Sequence, residues 1–240
     1  MQQHFFDVDD INLSEFKALC SQTVSSEDYH FSSDIQKMVV IYEGDHIRSL
    51  ISSPQAQKLK TELHHCVKEG PGVMAVRQAF PNIKVIDRAT EIFLEIIAEE
   101  KISKQHRGDH YAKPGENERI WNALQKFCER DTEAFVAYYD NPVLCFVSEA
   151  WLGPFFQMTS QVNIVKPGGQ SQHPHRDYHL GFQEDSLISE YPISSQILSK
   201  FLTLQGAIAH TDMDISSGST MMLPFSHQYP LGYMAWRDSK

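Results

Sequence analysis

The chain has 240 residues, 41% of them hydrophobic, enough for one substantial core or two small ones. Its net charge of -10 at pH 7 argues against nucleic acid or anionic membrane as the main partner, since both are met by basic surfaces, and leaves room for a local basic pocket that takes a small anion. Cys20, Cys66, Cys128 and Cys145 are widely spaced and form no C-x-x-C, which excludes a zinc knuckle or dense disulfide framework and predicts reduced, mostly buried thiols in a cytoplasmic protein.

The N-terminus, Met1 to Asp7, carries no basic region followed by an apolar run, so no signal peptide is expected. No apolar run approaches membrane-spanning length; the densest, Ile92 to Ala98, is interrupted by Glu95. The first half reads mainly as helices. Ser53-Pro54 has the pattern of an N-cap followed by Pro at the first helical position. Leu59, Leu63 and Cys66 then recur at helical spacing, and Gly70 offers a stop. A second helix is predicted from about Asp87 through Ile97, with Ile86, Phe93, Leu94 and Ile97 near one face. A third is predicted from near Gly115, with Ile120, Leu124 and Phe127 inward and Glu118 and Arg119 toward solvent. Thr132 to Tyr139 reads as a helix, and Pro142 to Trp151 as a helix or a strand. Trp121 and Trp151 are most simply core residues.

The pattern changes near residue 155. Thr159 to Val165 alternates polar and β-branched residues, a strand with Gln161 and Asn163 on one face. Pro167-Gly168-Gly169 is a turn. Gln172-His173-Pro174-His175-Arg176-Asp177-Tyr178-His179 follows. On an extended strand His173, His175, Asp177 and His179 share one face, a concentration of ligands that is costly to bury without a metal or hydrogen-bonding partners. His175-x-Asp177 has the spacing of the first two ligands of a 2-His-1-carboxylate iron site. Phe201 to Ala209 and Ser219 to Leu223 read as further strands, the latter stopped by Pro224. Helices first and antiparallel strands later make an α+β chain, read as one domain over residues 1–240, mainly helical to residue 155 and a β-sandwich from 156.

Thr159 to Gly169, His175 to Phe182 and Gly218-Ser219-Thr220-Met221-Met222-Leu223-Pro224-Phe225-Ser226-His227 resemble the phytanoyl-CoA dioxygenase family, with Phe225 where a P-G-S-H segment has Gly. Gly108 to Tyr111 and Arg119 to Leu124 resemble its bacterial members, so the likeness runs over roughly residues 105–232. It implies a double-stranded β-helix (jelly roll) with flanking N-terminal helices. It also implies an Fe(II)- and 2-oxoglutarate-dependent dioxygenase that uses O2 and releases succinate and carbon dioxide. His175 and Asp177 would hold the metal, and Gln161 and Asn163 would bind 2-oxoglutarate or orient the groups around it. The partner implied is a small-molecule or lipid-like substrate.

Family members place a distal His well beyond the P-G-S-H segment and an Arg some ten residues later, which pairs with the far carboxylate of 2-oxoglutarate. Neither has a matching position before Lys240, nor do the closing strands of the jelly roll, so the resemblance implies a truncated member or a fragment. His210 and Arg237 are the available substitutes, with a structural histidine and an exposed tail residue the preferred identities. His173 reads as lining or orienting, His179 as substrate contact or loop, and His227 as part of a turn. His106, Asp109 and His110 suit a capping or substrate-edge role better than a second metal. His175-Arg176-Asp177 also opens a protein-kinase catalytic loop, but Phe182 stands where Asn is required and no glycine-rich loop precedes it. A zinc hydrolase built on His173-x-His175 lacks H-E-x-x-H. A cupin-like binding module with an incomplete site is the stronger alternative. Oligomeric state carries no sequence signal.

Overall fold

The computed structural model describes residues 4–103, 117–167, 175, 185–217 and 219–231. Its first half is more sheet-containing than its helical periodicity suggests. Strands β1 (Asp34–Gln36) and β2 (Val39–Glu43) form a hairpin with Ile35 opposite Val40. Lys37 and Met38 both turn through positive φ, 48° and 67°, the backbone twist that a two-residue hairpin loop needs. After helices α2 (Gly44–Leu50) and α3 (Ala56–Lys68), β3 (Met74–Arg77) returns parallel to β2, with Ile41 opposite Ala75. A parallel return requires such a crossover.

One face of this sheet meets α3 and α7 (Pro142–Leu152). Val40, Tyr42, Ile47, Leu59, Leu63, Cys66 and Val143 form its inaccessible centre. Helix α7 starts where Asn141 accepts hydrogen bonds from the Val143 and Leu144 amides at 2.9 and 3.2 Å, with Pro142 at the first helical position. The alternative of a strand here is thus settled as helix. Helix α3 begins at Ala56, later than Ser53-Pro54 suggests, and stops at Gly70, whose amide reaches back to the His65 carbonyl at 2.8 Å.

A second core lies between α4 (Lys84–Ile102), α5 (Ala123–Arg130), α6 (Thr132–Tyr139) and a ribbon of β4 (Asn117–Ile120) and β5 (Val162–Val165). Ile86, Ala89, Ile92, Phe93, Ile96 and Ile97 form the buried stripe of α4. They meet Phe127 and Tyr138, with Phe93 and Phe127 edge-to-face at 4.9 Å. A third, smaller cluster joins Phe16 on α1 (Leu13–Cys20) to Ile188 on α8 (Asp185–Ile188), Tyr229 and Leu231. Helix α9 (Ile193–Lys200) follows α8.

The Pro224-Phe225-Ser226-His227 turn clasps the end of α3. The Phe225 amide donates to the Pro71 carbonyl at 2.9 Å, and the Gln228 side-chain amide to the Glu69 and Gly70 carbonyls at 2.6 and 2.9 Å. The His227 ring lies on Gly72 (φ 76°), where an added Cβ would come within 2.3 Å of Nδ1. Phe225 holds φ 65°, a conformation in which Gly is the unstrained residue, yet its ring is buried.

Several expectations are corrected. The third helix starts at Ala123, not near Gly115: Ile120 ends a strand, and Asn122 in the left-handed region (φ 56°) separates strand from helix. Glu118 and Arg119 are buried, because all four residues of β4 lie beneath the ribbon's neighbours. Leu94 faces solvent, one position off the stripe of α4. Trp121 and Trp151 are half-buried rather than core. Residues 203–209 and 219–223 form no strand; their backbone finds no ladder partner among the described residues. All four cysteines are free, but only Cys66 is fully buried, and Cys145 is exposed. The chain is an α+β mixture with a three-stranded and a two-stranded sheet and no barrel among the described residues. None of the described helices is long and apolar enough to cross a membrane.

Candidate functional site

The polar residues of the second core gather on the β4–β5 ribbon. The strands pair antiparallel, with Arg119 opposite Asn163 and Glu118 opposite Ile164. Alternation along β5 holds as read from the sequence. Val162 and Ile164 turn toward the second core, while Asn163 and the preceding Gln161 are exposed on the other face.

Sequence reasoning missed Arg119. Its side chain donates from Nη2 to the Gln161 Oε1, and its guanidinium lies 4.1 Å from the centre of the Trp121 ring. The planar fork is thereby aimed, since Trp121 supports one face and Gln161 fixes one edge. The available signal was an Arg two residues before Trp121, the spacing that sets both on one face of a strand, obscured because Ile120, Leu124 and Phe127 also fit a helical spacing. Glu118 is held by Lys101 at 2.5 Å and by Lys166. Burial disfavours its charged form, but the hydrogen bonds from the two lysines outweigh this and hold the carboxyl below the usual range. The two lysines thus neutralise Glu118 on the face of the strand that Ile164 shares, while Arg119 lies on the other face with Asn163 and Gln161, a cation placed to meet an anionic ligand.

Of the proposed metal-binding pair, His175 is described and half-buried, outside regular structure. Asp177 lies outside the described residues, as do His106, Asp109, His110, His173, His179 and Arg237. An imidazole and a carboxylate two residues apart are a donor set suited to ferrous iron. Among the described residues no three His, Cys, Asp or Glu side chains come together as a metal site.

His210, the candidate substitute ligand, is engaged elsewhere. Its Nδ1 is 2.7 Å from the Thr90 hydroxyl and its Nε2 is 2.7 Å from the Tyr138 hydroxyl. Both ring nitrogens are occupied, so His210 is the structural histidine. His227 likewise belongs to its turn, with Nε2 at 3.2 Å from the Lys68 carbonyl.

A search of curated proteins and a search of solved structures each return no match. The family model for Phytanoyl-CoA dioxygenase (PhyH) matches residues 46–239, from α2 through the histidine-rich segment to the C-terminal end. That span covers most of the sequence and includes both the β4–β5 ribbon and the His175–Asp177 pair, and so the chain belongs to the phytanoyl-CoA dioxygenase family.

Proposed function

We propose that the chain is an Fe(II)- and 2-oxoglutarate-dependent dioxygenase that hydroxylates a small-molecule or lipid-like substrate. The family match over residues 46–239 carries this reading. His175 and Asp177 supply a nitrogen and an oxygen ligand, and the bound iron supplies the oxidative chemistry that couples O2 and 2-oxoglutarate to substrate oxidation. Gln161 and Asn163 orient the co-substrate by hydrogen bonding. Arg119, steadied by Gln161 and Trp121, receives its far carboxylate. The chain is read as a single cytoplasmic domain over residues 1–240.

The engagement of both nitrogens of His210 favours one second reading: a family member with an incomplete metal site that binds a ligand without turning it over. Succinate formation separates the two. The wild-type chain with ferrous iron, O2 and 2-oxoglutarate is expected to produce succinate, and Asp177→Ala to abolish it. Unchanged production in Asp177→Ala would remove the metal assignment, and none in the wild type would favour the binding module.

A further inference from the structure

Residues 203–214 cross the second core with no regular structure of their own. At one end the Trp151 indole N–H donates to the Thr203 carbonyl at 3.0 Å, and at the other the Ser217 amide turns back to the Asp214 carbonyl. Between these ends, among the described residues, the side chain of His210 makes the hydrogen bonds. Ile208 adds an apolar contact, packing on the same cluster as Val162 and Ile164 of β5.

The proton positions around His210 follow from its neighbours. The Thr90 hydroxyl donates to the Ile86 carbonyl at 2.8 Å, so it accepts from Nδ1–H. Nε2 is then the acceptor and the Tyr138 O–H its donor. This arrangement needs a neutral ring. A second ring proton would sit on Nε2 and face the Tyr138 O–H, which would have to turn away inside a buried site. Among the described residues, no buried charged group faces the ring to compensate. Asp87, Arg88 and Glu91 on α4, Glu133 on α6, and Asp212 and Asp214 on the segment itself are exposed. The shift of the ring below the usual histidine range arises from burial.

We propose that His210 is a proton-operated latch: its neutral ring fastens residues 203–214 across α4 and α6, and a second ring proton unfastens them. Release would remove Ile208 from the cluster on which Val162 and Ile164 of β5 also pack, the strand whose outer face carries Asn163. Acidification would therefore also weaken 2-oxoglutarate binding, a consequence that rests on the function proposed above, whereas the latch itself does not.

Limited proteolysis of the full chain between pH 7.5 and 5.5, normalised to cleavage of a free peptide of residues 203–214, tests the latch without any ligand. Protection of residues 203–214 from cleavage is expected to fall by up to about tenfold per pH unit below the ordinary histidine range, while α3 is unaffected. In His210→Gln the pH dependence is expected to disappear. In Tyr138→Phe, which removes the donor to Nε2, the His210 ring titration followed by NMR is expected to move up toward the free value. Wild-type protection that does not change with pH, or that falls equally in His210→Gln, would overturn the latch. An unmoved titration in a folded Tyr138→Phe would do the same. If proteolysis responds as expected but 2-oxoglutarate does not bind at any pH, the latch stands and the co-substrate assignment fails.

Discussion

Two buried glutamates, one in each main core, are held in opposite ways. Glu62 on α3 accepts the Phe31 amide on both carboxyl oxygens at 3.1 Å, and burial pushes its carboxyl up against the opposing effect of that amide. Glu118 on β4 is gripped by Lys101 and Lys166 and is held down. The first core uses an acid as a hydrogen-bonding strut in otherwise apolar surroundings. The second brings cations to one buried strand, which costs desolvation and is a reason to seek function there. Stability should therefore reside mainly in the first region and ligand binding in the second.

The largest expected effect tests the first half of that contrast. Leu63→Ala opens a cavity in the inaccessible centre beside Leu59 and Tyr42 and is expected to cost about 2–5 kcal/mol in denaturant unfolding, leaving 2-oxoglutarate affinity of the folded fraction unchanged. A large affinity loss without destabilisation would break the division. Arg119→Ala tests the other half. Loss of the charge-assisted contact, about 1.5–3 kcal/mol, should weaken 2-oxoglutarate binding roughly 10- to 100-fold by calorimetry. The change in unfolding free energy should stay below that of Leu63→Ala.

The smallest effects are the most discriminating, because their signs differ. Glu118 has a depressed carboxyl, so its contribution is present above the unfolded value and is lost as pH falls through the folded one. Glu62 is raised above its ordinary value of 4.5, so its contribution is full below that value and is lost as pH rises through the folded one. Stability measured against pH should show wild type losing its advantage over Glu118→Gln in acid, and over Glu62→Gln toward neutral pH. Parallel curves for the two variants would show that the glutamates are not held differently.

Helix α6 was legible, whereas α7 was left open between helix and strand although both carry a start signal: Asp131 caps α6, and Asn141 with Pro142 opens α7. The β1–β2 hairpin was not, since Lys37 and Met38 adopt positive φ without the Asn or Gly that marks such turns. Strand β4 was hidden because Ile120 keeps helical spacing with Leu124 and Phe127 across a break at Asn122. Of the site, the alternation that sets Gln161 and Asn163 on one face was readable from period alone, whereas Arg119 was not. Its importance comes from contacts with Gln161 and Trp121, and the burial of β4 depends on pairing with residues more than forty positions away. The role of His210 was equally unreadable, because Thr90 and Tyr138 reach it from two distant helices.

The central claim is that His175 and Asp177 bind ferrous iron next to a 2-oxoglutarate site served by Arg119. Anaerobic calorimetric titration of the full chain with 2-oxoglutarate, with and without ferrous iron, tests it most directly. Saturable, iron-dependent binding at one site is predicted, absent in Asp177→Ala and weakened in Arg119→Ala. Absence of saturable binding in the wild type, or binding indifferent to both iron and Asp177, would contradict it.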